Sequence, residues 1–165
     1  MPHRCLTPSF EKAADNLREL ARSLKSEAHS TKVVTEMADI ERQYDQFDTI
    51  AQYKLLTDLI ELKCVAALPL MHRILFSSPS ALIRHEAAFG LGALGDQREA
   101  PALVNAMLND GHTMVRHEAA IALATVGDES SLPALQKATE QETEPAVIES
   151  VLFAIQQILL NGSWR

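Results

Sequence analysis

The chain has 165 residues, the length of a single domain, and with 47% apolar and 22% charged residues its composition is that of an ordinary folded protein. A net charge of −7 without a basic cluster excludes a nucleic-acid groove, because phosphate binding requires a basic surface. The sequence shows no apolar run of the ~20 residues that cross a membrane, no signal-peptide pattern and only two cysteines, so we expect a cytoplasmic protein that does not act at a membrane.

The first predicted element is a separate helical segment over residues 1–45, with a second helix around Lys32–Tyr44. Two interpretations of this segment stay open. It is either a cap over the open end of the domain that follows, or a dimerisation element, because its leucines form a narrow stripe suited to a partner helix. The apolar residues at helical spacing are Phe10, Ala13, Leu17, Leu20, Leu24 and Ala28.

Residues 46–165 are predicted to form about four helical hairpins in a row. Leu82–Val104 matches Met114–Gln136 at an offset of 32 residues, and the apolar pattern extends backward over Gln52–Leu62 and forward over Val147–Ile155. Ala and Leu dominate and β-branched residues are few, which favours helix. Because such hairpins cannot bury their apolar faces alone, we expect an all-α solenoid in which they stack.

The two middle units each carry the string RHEAA, at Arg84–Ala88 and Arg116–Ala120. A solenoid has no structural need for a His-Glu pair, whereas this pair can ligate a metal or move a proton. The flanking units carry Tyr53-Lys54 and Glu149-Ser150 at the same position. The doubled pair is therefore the feature that points toward chemistry.

The four residues of the two pairs are the candidate metal ligands. Equivalent helices of neighbouring hairpins lie ~8–10 Å apart, so we expect His85 and His117 to face the same way and to converge on one ion. Glu86 and Glu118 follow, turned by about 100° on each helix. Two imidazoles with one or two carboxylates suit non-haem iron, and zinc and manganese also accept this ligand set.

The arginine of each motif is expected to serve the solenoid itself. Arg84 and Arg116 would bridge to aspartates in the inter-repeat turns, such as Asp96 and Asp128. A second possibility for the His-Glu pairs also stays open: they are surface pairs that were inherited by duplication and have no function.

Two further residues are candidates for supporting the site. Tyr53 occupies the histidine position one repeat earlier and either lines the edge of the site or is a buried aromatic residue. His112 lies in the turn before the second motif, where it either supports a metal ligand by a hydrogen bond or is simply a turn residue.

Four segments carry a resemblance to a known family: LIRHEAAFGLGALGD, PALVNAML, MVRHEAAIALATVGD and VIESVLFAI. With them, the stretch from about Gln52 to Leu160 resembles one half of deoxyhypusine hydroxylase, a HEAT-repeat diiron monooxygenase that has two such halves in one chain and binds two irons between them. A weaker resemblance to the phycobilin-lyase type of HEAT repeat covers the scaffold residues only.

The resemblance implies that His85, Glu86, His117 and Glu118 ligate iron. Because only one half is present, it also implies a homodimer, in which a two-fold axis doubles the patch and assembles a dinuclear iron centre. The implied reaction is the activation of dioxygen for hydroxylation, with an amine-bearing substrate, either a small molecule or a protein. The competing hypothesis is a metal-free scaffold for protein interaction, the commonest role of such solenoids.

Overall fold

The computed structural model describes residues 31–162, and for residues 31–36 and 162 the backbone alone. Contacts divide the chain into two compact units, residues 1–67 and 68–165. The division expected from the sequence, after residue 45, stays a prediction. So do the cap and the dimerisation element, because their apolar stripe lies in residues 1–30, outside the described residues.

The described part of the first unit consists of two helices and a short 3₁₀ turn. The predicted helix around Lys32–Tyr44 is confirmed as α1, Thr31–Tyr44, and α2 follows over Thr49–Glu61. Asp48 starts α2, since its side chain accepts a hydrogen bond from the amide of Ala51 at 2.9 Å. After α2 the chain turns at Lys63, which has a positive φ of 53°.

The second unit contains three helical hairpins among its described residues. Within each hairpin the two helices pack against each other, and the second helices pack side by side. We call α4, α6 and α8 the motif row, since both RHEAA strings lie in it. Over residues 31–162 every element is helical, which confirms the predicted all-α solenoid. The helices are α3 (Leu68–Ser77), α4 (Ala81–Leu94), α5 (Ala100–Asn109), α6 (Thr113–Val126), α7 (Leu132–Gln141) and α8 (Pro145–Gly162).

The start of α3 differs from the sequence prediction. The apolar pattern predicts a helix over Cys64–Phe76, but Val65–Ala67 form a 3₁₀ turn and the α-helix begins at Leu68. Pro69 explains the difference, because it has no N–H to bond the carbonyl of Val65 and its ring disfavours a helix on that side. Proline is tolerated in the first turn of a helix, which is where it stands here.

Gly95 and Gly127 end α4 and α6, and a glycine that follows a helix is free to adopt a positive φ. Neither residue uses that freedom, because their φ angles are −84° and −71°. Space is the reason for glycine here. A Cβ on Gly95 would lie 2.4 Å from the carbonyl oxygen of Leu91, and one on Gly127 would lie 2.5 Å from that of Leu123.

Small residues let α4 and α6 approach closely. The Ala-Ala pairs that end the two RHEAA strings are buried, with Ala88 and Ala120 both 0% exposed. Gly92 lies so near α6 that an added Cβ would stand 2.6 Å from the Cβ of Ala122. The alanines of the motif therefore belong to the packing of the solenoid.

Among the described helices, none is both long enough and apolar enough to span a membrane.

Candidate functional site

The His-Glu pairs are brought together across the boundary between two repeats. Nε2 of His85 on α4 lies 3.3 Å from Oε2 of Glu118 on α6. The Glu118 carboxylate raises the pKa of His85, by its hydrogen bond first and by its charge, while partial burial opposes the shift. Glu86 and Glu118 are buried, with 6% and 9% of their surface exposed. His85 and Glu118 thus form a half-buried pair of potential metal ligands, which we call the donor pair.

The second histidine makes the equivalent contact to the next repeat. Nδ1 of His117 on α6 lies 2.6 Å from Oγ of Ser150 on α8 and 3.4 Å from the carbonyl oxygen of Ala146. Ser150 stands 33 residues after His117, as Glu118 does after His85. Each imidazole therefore meets the same position of the following repeat, which is a glutamate in one case and a serine in the other.

These contacts differ from the expected convergence of two histidines on one ion. The structure pairs His85 with Glu118 and His117 with Ser150, and it buries Glu86 within the motif row. Within residues 31–162 no group of three or more His, Cys, Asp or Glu side chains is placed to hold a metal. The four-residue ligand set therefore stays a prediction.

Each motif arginine forms a salt bridge to the next repeat, which we call an arginine bracket. The partners are not the predicted ones. Arg84 binds both carboxylate oxygens of Asp110, at 2.7 and 2.9 Å, and donates to the carbonyl oxygen of Ser78 at 3.0 Å. Arg116 binds Glu142 in the same way, at 2.7 and 3.1 Å. Each arginine thus reaches the turn inside the next hairpin.

The aspartates expected to bind these arginines serve short turns of their own. Asp96 accepts hydrogen bonds from the amide and the guanidinium of Arg98, and Asp128 accepts one from the amide of Ser130. Both residues cap the 3₁₀ turn that follows them. The prediction failed because it placed the arginine partners between repeats, whereas the side chains extend to the turn within the next repeat.

The family of the chain follows from this architecture and from a comparison of sequences. Residues 68–156, which span α3 to α8, match the family model of HEAT repeats. The chain belongs to the HEAT-repeat family. A search of the curated proteins finds no match. In HEAT-repeat terms, the motif row is the set of second helices, and each RHEAA string links one repeat to the next.

The separation of His85 and Glu118 between the HEAT repeats is that of a long hydrogen bond and also that of two ligands of one metal ion. Two ligands of one ion at ~2.0–2.1 Å lie about 3.0–3.4 Å apart, depending on the coordination angle. The 3.3 Å between Nε2 of His85 and Oε2 of Glu118 falls in this range. Nδ1 of His85 is buried without a hydrogen-bond partner in the described part of the chain. Imidazole and carboxylate are both groups that ligate transition metals, but within residues 31–162 no third ligating side chain joins them.

The two supporting candidates lie in different parts of the molecule. Tyr53 is on α2, in the first unit, and is 36% exposed, so the interpretation as a buried aromatic residue is wrong. His112 is the N-cap of α6: its Nδ1 accepts from the amide of Met114 at 3.3 Å, and its own amide donates to Asp110 at 2.8 Å. It is thus a turn residue, and support of a metal site by either residue stays a prediction.

Sequence reasoning missed two features of this surface. The first is Ser150, which in the sequence is only a departure from His-Glu, although the repeat frame places it 33 residues after His117. The second is an apolar rim. Phe89 and Phe153 are four residues beyond the histidine position of their repeats, which places them on the same helix face, and both are exposed, by 45% and 44%. Both features can be recognised when equivalent positions of the 32-residue repeat are compared one by one.

Proposed function

We propose that this HEAT-repeat protein binds a transition metal at its motif row and that a second copy of the chain completes the site. The observation that carries the proposal is the 3.3 Å separation of Nε2 of His85 and Oε2 of Glu118. Imidazole and carboxylate together form the donor set of non-haem iron sites, and manganese and zinc accept it as well. His117 is the third ligand proposed, and Glu86 the fourth.

A second copy is proposed because the described residues of one chain offer too few metal ligands. Residues 31–162 contain no cluster of three or more ligating side chains, whereas a two-fold axis through the motif row would double every donor. The surroundings suit such an interface, since Leu82 and Phe89 flank His85 at helical spacing and both are exposed. Apolar contacts of this kind contribute most of the free energy of association.

The reaction proposed is a hydroxylation, as the resemblance to deoxyhypusine hydroxylase implies. A dinuclear iron centre, when bound, supplies the activation of dioxygen. The residues of this chain would hold the metal, with Glu86 and Glu118 as its buried carboxyl ligands. A net charge of −7 favours a cationic, amine-bearing substrate, either a small molecule or a side chain of a protein. The cytoplasm is the proposed location.

Metal content is the measurement that tests this proposal. The protein is purified without a His-tag, reconstituted anaerobically with iron(II), and analysed for iron, manganese and zinc per chain alongside its mass in solution. The test variant is His85→Ala/His117→Ala. The control is His72→Ala, which removes an exposed histidine from α3.

About one iron per chain in a dimer, lost in the double variant and kept in the control, is the expected result. Metal that never exceeds the level of the double variant refutes the proposal. Metal that the double variant retains in full refutes it as well, because other residues then hold it.

A metal-free scaffold is the second candidate, and the arginine brackets favour it. The arginine and both alanines of each RHEAA string have structural roles in the solenoid, so the string persists in two repeats without any need for chemistry. A HEAT solenoid without metal acts by binding other proteins along its surface. Capture of a protein partner whose binding the double histidine variant leaves unchanged, together with absence of metal, supports this function.

A further inference from the structure

Ser150 is a buried polar residue in the middle of an apolar helix, and its hydroxyl contacts two polar groups. It is 4% exposed. Its Oγ lies 2.8 Å from the carbonyl oxygen of Ala146, one turn earlier on α8, and 2.6 Å from Nδ1 of His117 on α6. A serine hydroxyl has one proton to donate and two lone pairs with which to accept.

The position of that single proton determines the tautomer of His117. The carbonyl oxygen of Ala146 can only accept, so the contact at 2.8 Å requires the proton of Ser150. Oγ then has only lone pairs to offer the imidazole, and Nδ1 of His117 must carry the ring proton. The reverse arrangement would place two acceptor oxygens against each other without a proton between them. The carbonyl oxygen also lies 3.4 Å from Nδ1, where an N–H group again fits and a lone pair does not.

The other ring nitrogen is left with its lone pair. Among the hydrogen bonds of the described residues, none involves Nε2 of His117, whereas Nε2 of His85 faces the Glu118 carboxylate. The two histidines occupy the same position of successive HEAT repeats. They differ in chemistry because the residue 33 positions later is a glutamate for one and a serine for the other.

We infer that Ser150 is a positioning residue that holds His117 as the Nδ1–H tautomer. Nε2 of His117 is then unprotonated, and its lone pair is available to ligate a metal. An imidazole fixed in this way by its other N–H group is the form that ligates a divalent transition metal. The consequence for metal binding rests on the proposed function. The tautomer itself is a property of the metal-free protein.

Long-range ¹H–¹⁵N correlation spectra of the metal-free, ¹⁵N-labelled full-length protein test this inference. The protonated and unprotonated ring nitrogens of a neutral histidine resonate far apart, so the spectrum identifies the tautomer directly. Spectra are recorded above the pH at which the imidazole titrates, and the signals of His117 are assigned by their loss in His117→Gln. The variants are Ser150→Ala and Ser150→Thr, and circular dichroism shows whether each has folded.

The expected result is an Nδ1–H signal pattern for His117 in the native protein and in Ser150→Thr, which retains the hydroxyl. In Ser150→Ala the pattern changes to the Nε2–H form that imidazole prefers in water, or to a mixture. The signals of His72, on a different helix, stay in place. Nε2–H as the main form in the native protein overturns the inference, and so does an unchanged tautomer in a folded Ser150→Ala.

The spectra also separate the two proposals, because no metal is present. An Nδ1–H tautomer in a protein that binds no metal leaves the inference standing and removes the proposed function. Where cobalt(II) does bind, Ser150→Ala is expected to weaken its affinity roughly 10–100-fold, the usual effect of removing a residue that orients a metal-ligating histidine.

Discussion

Arg84 holds Asp110 by two parallel hydrogen bonds of 2.7 and 2.9 Å, and the two residues are 26 positions apart in the sequence. Arg116 holds Glu142 at the same separation. Both side chains of each pair are largely buried, with 17% of the arginine and 9% of the acid exposed. The bracket between one motif helix and the next hairpin turn is therefore a repeated structural unit of this solenoid.

Removal of this bracket is expected to destabilise the protein strongly. In Arg84→Ala the carboxylate of Asp110 loses its guanidinium partner, and leaving one member of this part-buried pair unsatisfied costs about 1–3 kcal/mol. Urea denaturation of the native protein and the variant measures the difference in the free energy of unfolding. Arg98→Ala is the control, because its partnership with Asp96 is exposed, and we expect little change. Equal losses in both variants would contradict the structural role of the bracket.

The second bracket predicts a dependence of stability on pH. Arg116 is the main cause that lowers the pKa of Glu142 from 4.5 to about 2. Because the folded pKa is the lower one, the stabilisation is fully present above about pH 4.5 and is lost as the pH falls toward 2.

A comparison with Glu142→Gln over the acid range measures this contribution. The difference in the free energy of unfolding between the two proteins is expected to be largest above pH 5 and to shrink steadily below pH 4.5. A difference that stays constant from pH 6 to pH 2.5 would show that the carboxylate charge contributes nothing.

The close approach of α4 and α6 predicts opposite effects for two glycine substitutions. In Gly92→Ala the new Cβ would stand 2.6 Å from that of Ala122, so the helices must separate, at a cost of about 1–3 kcal/mol. Gly111, in the turn before α6, has no atom within 4 Å of an added Cβ, and its φ is not positive. Gly111→Ala should therefore stabilise the protein by about 0.4–1 kcal/mol. Thermal denaturation compares the two, and a neutral Gly92→Ala would mean that the helices can separate freely.

The proposed dimer predicts which exposed apolar residues matter for association. Phe89→Glu and Phe153→Glu place a charge beside the histidine position and are expected to convert a dimer into a monomer without unfolding it, because both side chains are about half exposed. Leu159→Glu is the control. It is 53% exposed and lies about 120° around α8 from Phe153. Mass measured by light scattering decides the matter. Dissociation by Leu159→Glu alone would place the interface elsewhere.

Much of the fold could be predicted because its signals are local. The helices of the second unit and their hairpin order follow from apolar periodicity and a 32-residue frame, which neighbouring residues determine. The start of α3 and the backbone of Gly95 could not be predicted in the same way. In the first case the apolar pattern continues without a break across Pro69, where the α-helix begins. In the second case a glycine after a helix indicates a special backbone conformation, whereas Gly95 is needed because a Cβ would not fit.

The sequence by itself determined that the two RHEAA strings are equivalent and that each contains an arginine, a histidine and an alanine pair. Only the tertiary structure decided what each side chain meets. The arginine reaches a residue 26 positions later and the histidine one 33 positions later, because one points to the next turn and the other to the next helix. Those partners depend on how far apart and at what rotation the helices pack. That geometry pairs one histidine with Glu118 and the other with Ser150.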